Sequence, residues 1–292
     1  MIKTILVAAT GTEKTKAALE TAATVARLFG SHIECLRIHR DPAQVMAQAA
    51  SSDMGSGLVM PQLVQALQEE DGRRTKVARK AFDAICKQEN WALAESPPAR
   101  QGASAVWREE TGDEVSRLVK RAHFNDLVVI ENLLDGGGLP RGAAGELLFG
   151  GGRPILIAPR ESRKSLTRSI VIAWKETPEA AGAVSAAMPL LAKAEQILVV
   201  SASEGADSEP ATRLSLNNAV DHLRWHNLPA EGRYLDLSDL NAPEAILAEA
   251  LRIEADLVVM GGYGHSRMRE FIFGGFTRRV LNGCALPVFA YH

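Results

Sequence analysis

Residues 256–292 read DLVVMGGYGHSRMREFIFGGFTRRVLNGCALPVFAYH, and this stretch contains a strand, a glycine-rich loop, a helix and a second strand. The apolar run Leu257 to Met260 is short and β-branched, which is typical of a strand buried in a parallel sheet. Helical periodicity follows from Thr277 to Asn282, and a second apolar run extends from Leu286 to Tyr291. This order of elements predicts a βαβ unit of a parallel sheet.

Four glycines in this stretch lie where an anionic ligand would meet the backbone. Ligands of open parallel sheets bind at the carboxyl ends of the strands. Gly261 and Gly264 lack a Cβ atom at that end, so backbone N–H groups can approach a phosphate closely. Gly274 and Gly275 precede the helix, whose first N–H groups are unpaired and whose dipole favours negative charge. Taken alone, these glycines fit either a phosphate-binding loop or ordinary turns with nothing bound.

The chain repeats the same order of elements. Asp126 to Val129 and Asp256 to Val259 both read DLVV, each in an apolar strand followed by a loop. The polar stretch 160–168 lies between the two copies and indicates a linker. We therefore predict two tandem domains, at residues 1–160 and 167–292.

Each half is predicted to be an open, five-stranded parallel sheet with helices on both faces, the Rossmann-like α/β class, because strands and helices alternate without a hairpin signal. In the first half we expect a long helix from Pro61 to Asn90 and an amphipathic helix from Thr111 to His123. The third strand is placed at Trp91 to Glu95. The last strands, Ile155 to Ala158 and Pro287 to Tyr291, are apolar, so we expect the halves to pair through them as an intramolecular pseudo-dimer.

Composition excludes several classes of protein. The chain of 292 residues is long enough for two small α/β units, 46% of its residues are hydrophobic, and its formal net charge is −2. No basic excess points to nucleic acid, and no apolar run approaches the ~20 residues that span a bilayer. Cys35, Cys86 and Cys284 are widely spaced and odd in number, which favours core packing in a reducing compartment. The amino-terminal residues lack the pattern of a signal peptide, so we expect a cytoplasmic protein.

The spacing of glycines from Gly261 to Gly274, Gly-x-x-Gly-x9-Gly, resembles the nucleotide-binding signature of the universal stress protein family. In that family the last glycine is followed by Ser or Thr, an apolar residue and a further hydroxyl residue, and here Gly275, Phe276 and Thr277 follow. The resemblance covers the whole chain, in a tandem form of the family. It implies a stress-response protein whose second half binds ATP or another adenine nucleotide. The residues that we expect at the nucleotide are Gly261, Gly264, His265, Gly274, Gly275, Phe276, Thr277, Trp174 and Lys175.

The second half departs from the family at two positions. Nucleotide-binding members usually carry an acidic residue at the end of the first strand, where this chain has Lys175 in the second half and Thr10 in the first. Lys175 fits either a phosphate counter-charge or a solvated surface residue, and Trp174 fits either a base-stacking or a core position. Gly275 lacks the hydroxyl that would donate to phosphate. The expected cofactor is therefore ATP with little dependence on magnesium, and the safer role for His265 is as a donor to phosphate.

The first half lacks the glycine pattern. Its fourth predicted strand ends at Ile130, and the carboxylate of Glu131 follows where a phosphate would lie, so like charge opposes binding of an anion. The glycines at 136–138 and 150–152 do not restore the spacing. We therefore expect the first half to be degenerate, a partner that binds no nucleotide.

The sequence motifs do not indicate an enzyme with a specific catalytic site. The sequence contains no Gly-x4-Gly-Lys-Ser/Thr loop, no Gly-x-Ser-x-Gly elbow and no paired metal carboxylates. Three hypotheses stay open: a nucleotide-binding stress regulator, a non-binding scaffold of the same family, and a slow ATP hydrolase or receptor for another small ligand. A homodimer of the whole chain is a further expectation.

Two other clusters have simpler explanations. His222 and His226 have a spacing that can hold zinc, but without a third ligand they are better explained as surface histidines. The charged run Glu69 to Arg74 is expected to form a solvated helix face.

Overall fold

The computed structural model describes most of the chain as two successive α/β halves. The described residues are 1–41, 60–96, 102–133, 138–140, 142–202, 208–237, 241–262 and 285–292. The predicted glycine loop and helix of the second half, residues 263–284, lie outside them. Within the described ranges, no helix combines the length and the apolar character needed to cross a membrane.

The first half alternates strands and helices. Its described elements are β1 (Thr4–Ala8), α1 (Thr15–Phe29), β2 (His32–His39), α2 (Met60–Glu89), β3 (Ala92–Leu93), β4 (Ser104–Thr111), α3 (Glu114–Ala122), β5 (Leu127–Ile130), α4 (Ala143–Gly150) and β6 (Ile155–Ile157). Gly30 ends α1 with a φ of 61°, in the left-handed region that glycine adopts without steric cost. Asp113 begins α3, because its carboxylate accepts a hydrogen bond of 2.8 Å from the Ser116 N–H.

The second half repeats this order. Its described elements are β7 (Ser169–Ala173), α5 (Pro178–Leu191), β8 (Gln196–Ala202), α6 (Glu209–Trp225), β9 (Ala230–Leu235), α7 (Ala242–Arg252), β10 (Leu257–Gly261) and β11 (Val288–Tyr291). The Thr177 hydroxyl caps α5 by accepting a hydrogen bond of 3.3 Å from the Ala180 N–H. Pro178 opens the same helix, at a position where a backbone N–H would have no partner.

The described strands form one sheet in the order β3-β4-β2-β1-β5-β6-β11-β10-β7-β8-β9. Neighbouring strands within each half are parallel. β6 and β11 pair antiparallel, with Val288 opposite Ile157 and Ala290 opposite Ile155. The expected contact between the two final strands is therefore present, and it covers the inner edge of each half.

The Rossmann-like α/β class is confirmed, but the first half contains one strand more than predicted. β4 pairs with β2 along its whole length and takes the place expected for the third strand. The strand predicted at Trp91 to Glu95 is reduced to the two residues of β3 at the sheet edge. Thr111 belongs to β4, so the helix predicted from Thr111 starts instead at Glu114. Only residues 104–106 of β4 are buried, which explains why the sequence shows no apolar run there.

Helices cover both faces of the sheet. Alternate strand residues face opposite sides, so that Ile5 packs in a core with α1, α2, α5 and α6, whereas Leu6 packs with α3, α4 and α7. Burial on both faces is the reason that the central strands are continuous apolar runs. Cys35 and Cys86 are free, buried thiols in the core that contains Ile5, and burial raises the pKa of Cys86 to about 11.

Candidate functional site

The carboxyl ends of β7 and β10 form the edge at which the sequence predicts a nucleotide. Trp174 follows β7, and its indole N–H donates a hydrogen bond of 3.0 Å to the Ser215 hydroxyl on α6. The Trp174 backbone N–H donates to the Val200 carbonyl at 2.9 Å, and its carbonyl accepts from the Ser201 hydroxyl at 2.7 Å. The half-buried ring packs against the core. The indole is thus held in one orientation at the edge of the sheet.

Lys175 follows Trp174 and is exposed to solvent, as is Glu176. The Lys175 carbonyl accepts a hydrogen bond of 2.7 Å from the Thr177 N–H, which turns the chain into α5. The ammonium group of Lys175 is therefore accessible to a ligand at this edge and takes no part in the core. Its contact with phosphate stays a prediction.

Gly261 ends β10 in close contact with the first turn of α5. A Cβ atom at this position would lie 2.6 Å from the Ala180 nitrogen and 2.7 Å from the carbonyl carbon of Glu179. Both distances are too short for a side chain, so glycine is needed here for the packing of α5 on the sheet. The sequence left open a phosphate contact or an ordinary turn for this glycine, and neither alternative included its packing against α5.

Gly262, the first residue after β10, contacts helix α4 of the first half. The Gly262 N–H donates to the Tyr291 carbonyl at 2.8 Å, and Nδ1 of His292 lies 2.9 Å from the Gly262 oxygen. A Cβ atom at Gly262 would lie 3.1 Å from Cδ1 of Leu148 on α4. The rings of Phe149 and His292 meet edge to face, with 4.4 Å between their centroids. α4 of the first half therefore packs against the residues where the second half's loop starts.

Three of the predicted nucleotide residues are described, and they lie close together. The register of β7 and β10 pairs Ala173 with Met260, which brings Trp174, Lys175 and Gly261 to the same part of the sheet edge. The other predicted residues lie outside the described part of the chain: Gly264, His265, Gly274, Gly275, Phe276 and Thr277.

A cavity of about 290 Å³ lies between α5 and α6, over β7 and β8. Its lining residues are Ile172, Trp174, Glu176, Ala181, Val184, Val199, Ser215, Asn218, Ala219, His222 and Leu223. The sequence reasoning missed this cavity, because its walls come from distant parts of the chain; Trp174 and Ser215 are 41 positions apart.

In the first half, the position equivalent to Gly261 is filled by a carboxylate. Glu131 is fully buried, and its Oε2 atom accepts hydrogen bonds from the Thr10 hydroxyl at 2.5 Å and the Thr12 hydroxyl at 2.6 Å. A Cβ atom on Gly138 would lie 1.2 Å from the Oε1 atom of Glu131, so Gly138 lies directly against the carboxyl group. The carboxyl group of Glu131 therefore stands where the sequence places a phosphate, and the absence of nucleotide from the first half stays a prediction.

A second cavity, of about 410 Å³, lies at the carboxyl ends of β2 and β4 in the first half. Buried Arg37 forms an ion pair with Asp71 of α2, and Asp71 also lies 2.5 Å from Nδ1 of His39. Burial opposes protonation of His39, but hydrogen bonds to Asp71 and Glu109 outweigh it and raise the pKa of His39. The run Glu69 to Arg74, expected to be wholly solvated, contributes residues to the wall of this cavity.

The two histidines with zinc-compatible spacing lie on the surface, at the carboxyl-terminal end of α6. His222 and His226 are exposed, with 5.0 Å between their ring centroids. In the ranges that the structure describes, no group of three or more His, Cys, Asp or Glu side chains is placed to hold a metal ion.

The fold is shared with known universal stress proteins. A crystal structure of a universal stress protein from Archaeoglobus fulgidus is 15% identical to this chain, with a TM-score of 0.67 over 99% of this chain and 95% of its own. A Pseudomonas aeruginosa protein, described as a candidate universal stress protein, is 17% identical, with a TM-score of 0.60 over 99% and 93%. A universal stress protein in complex with cAMP is 20% identical and covers 44% of this chain and 99% of its own, with a TM-score of 0.36. At these identities the two full-length similarities establish a common fold.

Sequence comparison identifies the family. No curated protein matches the chain. The sequence model of the universal stress protein family matches residues 1–132 and again residues 167–292, which together make up most of the chain. The two matches agree with the repeated order of strands and helices in the structure. The chain belongs to the universal stress protein family, which it represents in a tandem form.

Proposed function

We propose that the second half binds an adenine nucleotide, ATP, at the carboxyl ends of β7 and β10. The observation that carries this proposal is the difference between two equivalent positions. In the first half Glu131 follows β5 with a buried carboxylate, whereas in the second half β10 ends on Gly261 and Gly262 follows it, and neither carries a side chain. The buried carboxylate opposes an anionic ligand at the first position, whereas Gly261 and Gly262 place no side chain in its way at the second.

We propose further that the halves are two domains with different tasks. Residues 1–160 form a degenerate domain, and residues 167–292 form the nucleotide-binding domain. α4 of the first domain supports the second by packing against Gly262 and His292. In the cytoplasm, nucleotide occupancy of the second domain then serves as the signal that the protein contributes to the stress response.

The glycine loop is tested by binding of ATP to the purified chain, measured by isothermal titration calorimetry. Gly264→Val and Gly274→Val should abolish binding, because a branched side chain would occupy the space assigned to phosphate. Gly137→Val, in the loop of the first half, is the matched control and should leave ATP affinity unchanged. Gly151 is unsuitable as a control, since a Cβ atom there would lie 2.5 Å from the Leu147 carbonyl oxygen. Equal losses in both halves, or no binding to the wild type, would reject the proposed site.

The role of Lys175 is tested by titrations with and without magnesium. Lysine in place of a carboxylate supplies positive charge to the phosphates but cannot recruit a divalent metal. We therefore expect binding that changes little with magnesium and little release of inorganic phosphate. A hydrogen bond to a charged group is worth roughly 1.5–3 kcal/mol, so Lys175→Ala should weaken ATP binding about tenfold or more. Lys193→Ala, another exposed lysine of the second half, should not. Strict magnesium dependence or an unaffected Lys175→Ala variant would remove Lys175 from the site.

A further inference from the structure

The cavity between α5 and α6 has the walls of a small-molecule site. Ile172 and Val199 form its floor with 1% and 0% exposure, and Val184, Ala219 and Leu223 close its sides. Its volume of about 290 Å³ lies just below the range of about 300–1,000 Å³ for ligand pockets. A ligand of one or two rings fits a space of this size.

The corresponding helices of the first half are packed together. Its helices α1 and α2 occupy the places of α5 and α6, and they pack directly against each other. Phe82 of α2 is fully buried in that core, with its ring 5.6 Å from the ring of Trp107. The packing of α1 on α2 thus differs from the separation of α5 and α6 at the cavity.

Two groups at the mouth of the cavity define the charge of its ligand. Trp174 provides an aromatic surface that its hydrogen bond to Ser215 holds in place. Glu176 is exposed beside it, and no cation is paired with its carboxylate in the described part of the chain. Both an aromatic face and a carboxylate attract a positive charge.

We propose that this cavity binds a small aromatic amine. The ring of the ligand lies among the apolar side chains and against Trp174, and its ammonium group lies at the mouth beside Glu176. This ligand differs from the proposed nucleotide, whose phosphates are assigned to the glycine loop, and the proposal assigns Trp174 to the amine and not to the nucleotide base. The second half then carries two sites, one for an anion at the sheet edge and one for an organic cation between its helices.

Three indole compounds that differ in charge provide the first test. Binding of tryptamine, indole and indole-3-acetate to the full chain is measured by ligand-observed NMR titration at pH 8, where an ordinary histidine is neutral. We expect tryptamine to bind about tenfold more tightly than indole-3-acetate, with neutral indole between them. Equal affinities, or tighter binding of the acid, would overturn the proposal.

Variants of the cavity provide the second test. Ala219→Leu fills the cavity and should abolish tryptamine binding, whereas Ala211→Leu, an exposed position of the same helix, should leave it unchanged. Glu176→Gln should weaken tryptamine binding about threefold and leave indole unaffected. If Ala219→Leu does not fold, Ala181→Phe narrows the mouth, with Ser185→Phe as its exposed control on α5. Full tryptamine binding by the filled or narrowed variant would refute the site.

The two proposed sites are separated by competition. Saturating ATP should leave tryptamine bound, and Ala219→Leu should leave ATP affinity unchanged. Displacement of tryptamine by ATP would show that the cavity belongs to the nucleotide site and would overturn the proposal. If the chain binds no ATP, the proposed nucleotide function fails, while the tryptamine titrations still decide the amine site.

Discussion

The hydroxyl of Thr10 should stabilise the first half measurably, because it donates to a carboxylate that has no contact with solvent. Thr10→Val removes this donor, 2.5 Å from Oε2 of Glu131, and keeps nearly the same side-chain volume. Thr12 remains as the second donor at 2.6 Å, and the Oε1 atom has no partner of its own among the described residues. A hydrogen bond to a charged group contributes about 1.5–3 kcal/mol, so we expect the free energy of unfolding to fall by about 2 kcal/mol.

A double-mutant cycle isolates this contribution from the other contacts of Thr10. The Thr10 hydroxyl also lies 3.2 Å from the Thr15 hydroxyl, and the loss of that contact appears in Thr10→Val in any background. Glu131→Met keeps the length of the side chain but removes its charge, so Thr10→Val should destabilise this background by about 0.5 kcal/mol only. Urea unfolding of the wild type, the two single variants and the double variant gives the coupling free energy. The four curves are fitted with one common dependence of the unfolding free energy on urea concentration. If Thr10→Val lowers the free energy of unfolding equally in the wild-type and Glu131→Met backgrounds, the reasoning is refuted.

Three further predictions concern the stability of the fold. Gly72 is exposed in the middle of α2, and no atom lies within 4 Å of the place that a Cβ atom would occupy, so Gly72→Ala should raise the free energy of unfolding by about 0.8–1 kcal/mol; an unchanged or lower urea midpoint would contradict this. Gly138→Ala places a Cβ atom 1.2 Å from an oxygen of Glu131 and should lower that free energy by about 1–3 kcal/mol; a wild-type urea midpoint would show that the segment moves aside freely. A hydrogen bond from Arg252, opposed by burial and reinforced by Arg233, lowers the pKa of Glu249 to about 2. As the pH falls, Glu249 therefore takes up a proton in the unfolded chain before it does so in the folded chain. The stability that Glu249 contributes is complete above about pH 4.5 and is lost toward pH 2. The loss amounts to about 1–2 kcal/mol, since the arginines are exposed and solvent weakens the interaction. Glu249→Gln should flatten the pH dependence of the urea midpoint in that window, and a parallel curve would exclude the assignment.

The sequence predicted those strands that are buried on both faces of the sheet. β1, β5, β7 and β10 are continuous apolar runs, because helices cover both sides of the sheet at these positions. β4 escaped prediction because it is buried only at its start; Arg108, Glu109 and Glu110 follow in a part that is half-buried or exposed. The short helix α4 escaped prediction because it lies in a glycine-rich segment, with Gly142 before it and Gly151 after it.

The candidate site was predictable where it depends on local sequence. The glycine spacing and the positions of Trp174 and Lys175 after a strand are properties of short segments, and the structure places both residues at the carboxyl edge. The cavity between α5 and α6 depends on the packing of two helices over two strands, which no local pattern records. Gly261 illustrates the same limit, because its close contact with α5 is visible only when both elements are in place.

The antiparallel contact of β6 with β11 joins the two halves of this chain through an intramolecular interface. When two separate molecules pair through such an edge, their association is lost on dilution. Here both edges belong to one polypeptide, so the residues between β6 and β7 set a fixed effective concentration of one half around the other. The continuous sheet therefore does not depend on the concentration of the protein, and neither does the packing of α4 against Gly262.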